Sequence, residues 1–90
     1  MSLPEFIDEQ ILVEARFLPD GGVQPTAFIW RERTYLIADW GRQWQEEAGG
    51  AIWICYLVRT LDLETFELRL NRAAGQWVLA RVWRNKTSDA

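Results

Sequence analysis

Apolar and polar residues alternate along most of the chain with a period of two, which is typical of β-strands. The segments with this pattern, or rich in β-branched and aromatic residues, are ILVEARFL, PTAFIW, TYLIADW, AIWICYLVRTL, TFELRLN and QWVLARVW. Turn sequences separate them, including PDGG at 19–22, whose Asp-Gly pair supplies the positive φ angles of a tight reversal. The pattern predicts six strands of about five to ten residues and an all-β fold, either a small antiparallel barrel or a strongly bent six-stranded sheet.

The hairpin from Pro25 to Trp40 is apolar on both faces. One face carries Phe28, Trp30, Tyr35 and Ile37, and the other carries Ile29 and Leu36. A sheet that packs on one side needs only one apolar face, so the second face requires a cover of its own. We expect that cover to be the Trp40–Trp44 segment, the N-terminal arm or another copy of the chain.

The loop of this hairpin is expected at Glu32 and Arg33. That loop gives three cross-strand pairs, namely Arg31 with Thr34, Trp30 with Tyr35, and Phe28 with Ile37. Neither loop residue is Gly or Asn, which disfavours a two-residue turn with positive φ angles. A loop of three or four residues is the alternative, and it would shift these pairs.

Two segments depart from the strand pattern. Ser2 and Glu5 have the spacing of a helix cap, so residues 1–9 are expected to form a short helical turn or a loosely docked arm. Trp40 and Trp44 are four residues apart, which predicts a short helical turn within residues 40–47 before Gly49-Gly50. We therefore expect a single domain over residues 1–90, with a core at 10–84 and a polar tail at 85–90.

The net charge is −3 and the sequence pI is about 4.9, which argues against a general nucleic-acid binder. The charge is unevenly distributed, however. Residues 1–20 hold five acidic residues against one arginine, whereas residues 59–86 hold six basic residues against three acidic ones. The basic segment near the C-terminal end is therefore a candidate surface for an anionic partner.

The chain has no histidine, which removes the commonest general base and most nucleophile pairs and zinc sites. Cys55 is the sole cysteine, so an internal disulfide is excluded, and its mid-strand position predicts a buried, unreactive thiol. Asp39 has apolar neighbours that favour a raised pKa, but a turn or capping role is the simpler interpretation. We predict no enzyme, no catalytic or metal site and no cofactor.

Location follows from the absence of two further signals. No apolar run approaches the roughly 20 residues that span a bilayer. The first ten residues carry acids rather than the basic start of a signal peptide. The expected location is the cytoplasm, with no membrane partner.

The six tryptophans divide into two groups. Trp30, Trp53 and Trp77 alternate with aliphatic residues and are expected in the core. Trp40, Trp44 and Trp83 are placed at the ends of elements, which makes them the candidate interface residues. Aromatic rings beside arginines also suit single-stranded nucleic acid, for which the candidates are Arg69, Arg81 and Arg84 with Trp83.

A longer pattern resembles a known group of proteins. Its parts are P-x-x-F-x-W-R-x-R-x-Y from Pro25 to Tyr35, then Trp44, Trp53, and G-x-W-x-L-x-R-V-W from Gly75 to Trp83. It resembles a group of small bacterial all-β domains of uncharacterised function, some associated with DNA-repair or translesion-polymerase genes. The resemblance covers about residues 10–84 and implies bacterial origin, a single β-domain and a link to DNA processes, without an active site.

Two functions are therefore carried forward. The first is a non-enzymatic interaction module that binds a protein partner or itself through exposed aromatic residues. The second is a nucleic-acid-binding accessory domain with an arginine and tryptophan surface near the C-terminal end.

Overall fold

A computed structural model describes residues 3–84 and shows six strands without a helix among them. The strands are β1 (Glu5–Phe17), β2 (Val23–Trp30), β3 (Arg33–Ala48), β4 (Ala51–Thr60), β5 (Thr65–Asn71) and β6 (Gln76–Trp83). Each strand pairs antiparallel with the next, and β1 also pairs with β6, which closes the barrel. The predicted all-β fold is confirmed, and of its two forms the closed barrel is the one observed.

Two long strands bend so that each belongs to two sheets. In β1, residues 5–11 pair with β6 and residues 12–17 pair with β2. In β3, residues 33–36 pair with β2 and the rest pairs with β4. The result is a large sheet of five strands, in the order β1, β6, β5, β4, β3, and a small sheet made of the other part of β1, β2 and the start of β3.

Four aromatic rings fill the centre of the barrel. Phe28 and Tyr35 stack with their centroids 5.0 Å apart and their planes 9° from parallel. Phe66 meets both rings edge-on, at 5.0 Å and 5.2 Å, and Trp30 lies 6.2 Å from it. Each such side chain stabilises the fold by about 1.5–3 kcal/mol through burial, and edge-to-face pairs add to this. The inward face predicted for the β2–β3 hairpin is confirmed.

The loop of that hairpin differs from the prediction. Arg31 and Glu32 form a two-residue turn with φ angles of 53° and 66°, so Trp30 opposes Arg33 and Phe28 opposes Tyr35. The three predicted pairs are wrong by two positions in register, because residues without glycine's freedom occupy the left-handed region here. Arg31 is held by an ion pair to Glu9, at 2.8 Å, which helps to offset the backbone strain.

Both predicted helical turns are wrong where the structure describes them. Residues 40–47 continue β3, because they pair with β4 as far as Ala48 opposite Ala51, across a turn of Gly49 and Gly50. The predicted arm is largely strand as well, since Glu5–Glu9 belong to β1 and pair with β6. The cap at Ser2 and the tail at 85–90 lie outside the described residues.

Candidate functional site

The outward face of the large sheet collects most of the candidate residues. Cross-strand register places Trp44 opposite Cys55, Cys55 opposite Arg69, and Arg69 opposite Val78. The neighbouring row runs through Leu57, Glu67, Arg81 and Phe6. The interface candidate Trp44 and the nucleic-acid candidates Arg69 and Arg81 thus share one surface, although they come from three strands.

Glu67 lies at the centre of this surface and is fully buried. One carboxylate oxygen accepts a hydrogen bond from Arg69 Nε at 2.8 Å, and the other accepts one from Arg81 Nε at 2.6 Å. The two guanidinium groups lie over the carboxylate and keep contact with water themselves. We call Glu67, Arg69 and Arg81 the Glu67 triad.

The charge state of Arg69 follows from this arrangement. Burial is the largest influence and lowers the pKa of Arg69, but the hydrogen bond to Glu67 and the charges of Glu67 and Glu46 together outweigh it. The net result is a raised pKa. Arg69 therefore stays protonated at every ordinary pH.

Ion pairs and aromatic contacts extend the triad across the face. Arg69 lies 3.3 Å from one carboxylate oxygen of Glu46, and the other oxygen accepts a hydrogen bond from Trp44 Nε1 at 2.9 Å. The Arg42 guanidinium lies 5.2 Å from the Trp44 ring, and that of Arg81 lies 5.2 Å from the Trp83 ring. Such contacts stabilise the positions of both partners.

The third arginine candidate occupies a different place. Arg84 lies 3.1 Å from a carboxylate oxygen of Glu5 and 5.5 Å from the Trp30 ring, at the side of the barrel where β1 meets β6. Each of the three arginines predicted for nucleic acid therefore has a carboxylate partner. These partners reduce the positive charge that a phosphate backbone would meet.

Two shallow cavities lie on the same face, with volumes of about 260 and 410 Å³. Both are lined by Asp8 and Arg69. Asp8 has a φ of 57° and interrupts the register between β1 and β6, so its side chain stands at the edge of the sheet. The smaller cavity thus has one acid and one base in its lining, whereas the larger cavity also has Arg81 and so has two bases.

The remaining tryptophans occupy varied environments. Trp30 is buried as expected, and Trp77 packs against the core 5.5 Å from Tyr56. Trp53 is half-buried opposite Glu46, on the outward face, so its predicted core position is wrong. Trp40 is exposed, yet its Nε1 donates a hydrogen bond to the Pro25 carbonyl at 2.7 Å.

The outward face of the small sheet carries three exposed apolar side chains. Leu12, Ile29 and Leu36 are 72%, 44% and 53% exposed, and they border a cavity of about 290 Å³. We call these three residues the small-sheet patch. Two covers expected from the sequence are wrong, because the Trp40–Trp44 segment and the N-terminal residues from Glu5 onward are strands of the large sheet.

The two residues considered for chemistry lie apart from each other. Asp39 is exposed in β3 opposite Arg59, so its predicted turn or capping role is wrong. Cys55 is buried between Trp44 and Arg69, as expected. Burial is the largest influence on the pKa of the Cys55 thiol and raises it to about 11.

A reagent for free thiols checks the position of Cys55. At pH 8 the native protein is expected to react at least about a hundredfold more slowly than the protein unfolded in guanidinium, because the thiol is covered and its thiolate is scarce. The rate is followed by the absorbance of the released chromophore. Equal rates in the native and unfolded protein would contradict the buried position.

Among residues 3–84, no cluster of three or more His, Cys, Asp or Glu side chains has the arrangement that holds a metal ion. Within that same range, no helix has the length and apolar character needed to cross a membrane.

Comparisons with known proteins identify a family for this chain. Neither the curated proteins nor the solved structures include a significant match to this chain. The family model described as a domain of unknown function, DUF6504, matches residues 1–84. The chain belongs to this family of uncharacterised domains.

Proposed function

We propose that the protein is a non-enzymatic interaction module that binds a protein partner through the small-sheet patch. The observation that carries this proposal is the outward apolar surface of Leu12, Ile29 and Leu36. Exposed apolar groups of this kind, when contiguous, mark binding sites on soluble proteins.

The three side chains form one surface. Leu12 opposes Ile29 across β1 and β2, and Leu36 opposes Ala27 across β2 and β3, so the three lie on adjoining strands of one face. The cavity between them gives the patch a hollow in which a side chain fits. The expected occupant is therefore a protein that presents one or two aliphatic or aromatic side chains.

Polar residues border this apolar centre. Glu14 and Thr34 line the same cavity as Leu12, Ile29 and Leu36. An apolar centre with a polar rim is the usual anatomy of a protein interface.

A non-enzymatic role is supported by the chemistry of the available groups. The chain has no histidine, Cys55 is covered, and Asp39 lies on an open strand beside a cation. A cofactor-free adaptor fits these features. The cytoplasmic location and bacterial origin expected from the sequence stay predictions.

Nucleic-acid binding is the second candidate, and it is supported by Arg69, Arg81 and Trp83 lying on the outward face of one sheet. The carboxylates of Glu67 and Glu46 weigh against it, because they occupy the guanidinium groups. A labelled single strand tests this candidate. Salt-dependent binding that is lost in Arg69→Ala or Arg81→Ala would favour it over the proposal.

The interaction proposal predicts a selective loss of partner binding. Immobilised wild-type protein and the variants Leu36→Arg and Ile52→Arg are compared in a lysate, and a retained protein is then purified. Ile52 is similarly exposed but lies in β4 of the large sheet. We expect the purified partner to bind the Ile52→Arg variant like wild type, and the Leu36→Arg variant at least about tenfold more weakly.

Calorimetry with the purified components gives these affinities. Equal affinity of the partner for the wild-type and Leu36→Arg proteins would contradict the proposal. The proposal would also be contradicted if no protein in the lysate bound the wild type more tightly than the Leu36→Arg variant. Circular dichroism of both variants establishes that the barrel is intact.

A further inference from the structure

After Leu36, β3 no longer pairs with β2, and β4 is its only strand neighbour among the described residues. The other edge of β3 therefore has no strand paired with it in this part of the chain. The first part of this free edge is guarded by Trp40, whose indole is hydrogen-bonded to the Pro25 carbonyl. Past Trp40 the edge is open, and Arg42, Gln43 and Gln45 are exposed. An open strand edge readily pairs with another strand.

The register shows which backbone groups are available. A two-residue turn at Gly49 and Gly50 makes Ala48 and Ala51 a hydrogen-bonded pair. Bonded and non-bonded pairs then alternate through the regular ladder from Gln43 to Ala48. The N–H and C=O groups of Gln43, Gln45 and Glu47 therefore point away from β4, toward the free edge.

We propose that this edge pairs antiparallel with the same edge of a second copy, about a two-fold axis at Trp44. The segment Arg42-Gln43-Trp44-Gln45-Glu46 complements itself when read in reverse. Tryptophan then faces tryptophan, glutamine faces glutamine, and arginine faces glutamate. These are the cross-strand combinations that stabilise antiparallel pairs.

The free backbone groups select this register. Residues whose backbone groups point toward the free edge must oppose one another, so Gln43 bonds Gln45 of the other copy. The two Trp44 residues then form a non-hydrogen-bonded pair, in which side chains are closest. An axis at Gln45 would leave Arg42 facing Ala48. An axis at Gln43 would require regular pairing through the bulge between Trp40 and Gln43.

The side chains already lie where this dimer needs them. The Arg42 guanidinium over the Trp44 ring and the Trp44 bond to Glu46 place all three on the outward face of the large sheet. Two Arg42–Glu46 pairs would then flank the central tryptophans. The surface is separate from the small-sheet patch, so this inference and the proposed function can fail independently.

The first test removes a hydrogen bond from the edge. Gln45→Pro deletes an N–H that makes no bond to β4, whereas Gln45→Thr keeps it. In sedimentation equilibrium over a range of concentrations, wild type and Gln45→Thr are expected to approach twice the monomer mass. Gln45→Pro should stay monomeric with an unchanged circular dichroism spectrum. A wild type that is monomeric throughout, or a Gln45→Pro variant that dimerises like wild type, would overturn the proposal.

The second test checks the register with charges. Arg42→Glu and Glu46→Arg each place like charges opposite each other in a homodimer, so each variant alone should dimerise at least about tenfold more weakly. An equimolar mixture of the two should recover the dimer, because every opposing pair is then of opposite charge. Recovery also excludes misfolding of Glu46→Arg next to Arg69. Failure of the mixture to recover would overturn the axis at Trp44.

Discussion

Replacing Glu67 with glutamine is expected to lower the free energy of unfolding by about 2–4 kcal/mol. The variant keeps the shape of the side chain but removes the charge between Arg69 and Arg81, both of which bond Glu67. The side chains of Arg69 and Arg81 are 27% and 29% exposed, so water relieves part of the repulsion between their guanidinium groups. The loss of stability is therefore smaller than it would be in a dry interior. Urea denaturation followed by tryptophan fluorescence gives the difference.

Glu46→Gln is the matched control, because it removes another carboxylate from the same arginine. Glu46 is more exposed and lies 3.3 Å from Arg69, so its loss should cost no more than about 1 kcal/mol. A second comparison is the triple variant Glu67→Leu, Arg69→Met and Arg81→Met. It should recover most of the stability lost in Glu67→Gln. A Glu67→Gln variant as stable as Glu46→Gln would show that the Glu67 triad does not stabilise the sheet.

Phe66→Ala is expected to lower the free energy of unfolding by about 3–5 kcal/mol. Phe66 is fully buried and meets the rings of Phe28, Trp30 and Tyr35 edge-on. The alanine variant loses these contacts and leaves a cavity that the surrounding strands cannot collapse to fill. Since each kcal/mol shifts the midpoint of a domain this size by about 4–8 °C, thermal melting also reports the change.

Phe17→Ala is the control for Phe66→Ala, because Phe17 is exposed at the end of β1. Its removal should change stability by less than about 0.5 kcal/mol. Phe66→Leu keeps the variant measurable if the alanine variant does not fold. Equal losses at positions 17 and 66 would contradict the central role given to the aromatic core.

Alternation along the sequence predicted the six strands and the inward face of the β2–β3 hairpin. The β2–β3 loop shows the limit of that signal. Moving the turn from Glu32–Arg33 to Arg31–Glu32 changes the register by two positions, which leaves every side chain on the same face. The face of Phe28 could therefore be predicted, whereas its partner Tyr35 could not.

The full lengths of β1 and β3 were not predicted because they depend on distant partners. Trp40 and Trp44 have the spacing of a helical turn, but this segment is a strand because its backbone pairs with β4 as far as Ala48 opposite Ala51. Likewise, β6 draws Glu5–Glu9 into β1. Strand preference is strongly set by context, so an isolated reading of either segment lacks the deciding contact.

The Glu67 triad illustrates what a sequence leaves open about a surface. Alternation in TFELRLN predicts that Glu67 lies on the other face of the strand from Phe66 and Leu68, and this orientation is correct. Its complete burial comes from Arg69 and Arg81, which reach it from its own strand and from β6. The register shift between β5 and β6 next to Glu67 brings Arg81 to this carboxylate. No residue type in the sequence predicts that shift.

The pairing of β1 with β6 has a consequence for synthesis on the ribosome. The hairpins between consecutive strands join neighbours, so each can form soon after its residues leave the exit tunnel. Glu5, by contrast, opposes Val82, and the start of β1 waits for nearly the whole described chain to be translated. At about 5–20 residues per second, the nascent protein spends roughly 4–15 s with that edge unpaired. Residues 5–11 of β1 are therefore made first and paired last, when β6 closes the barrel.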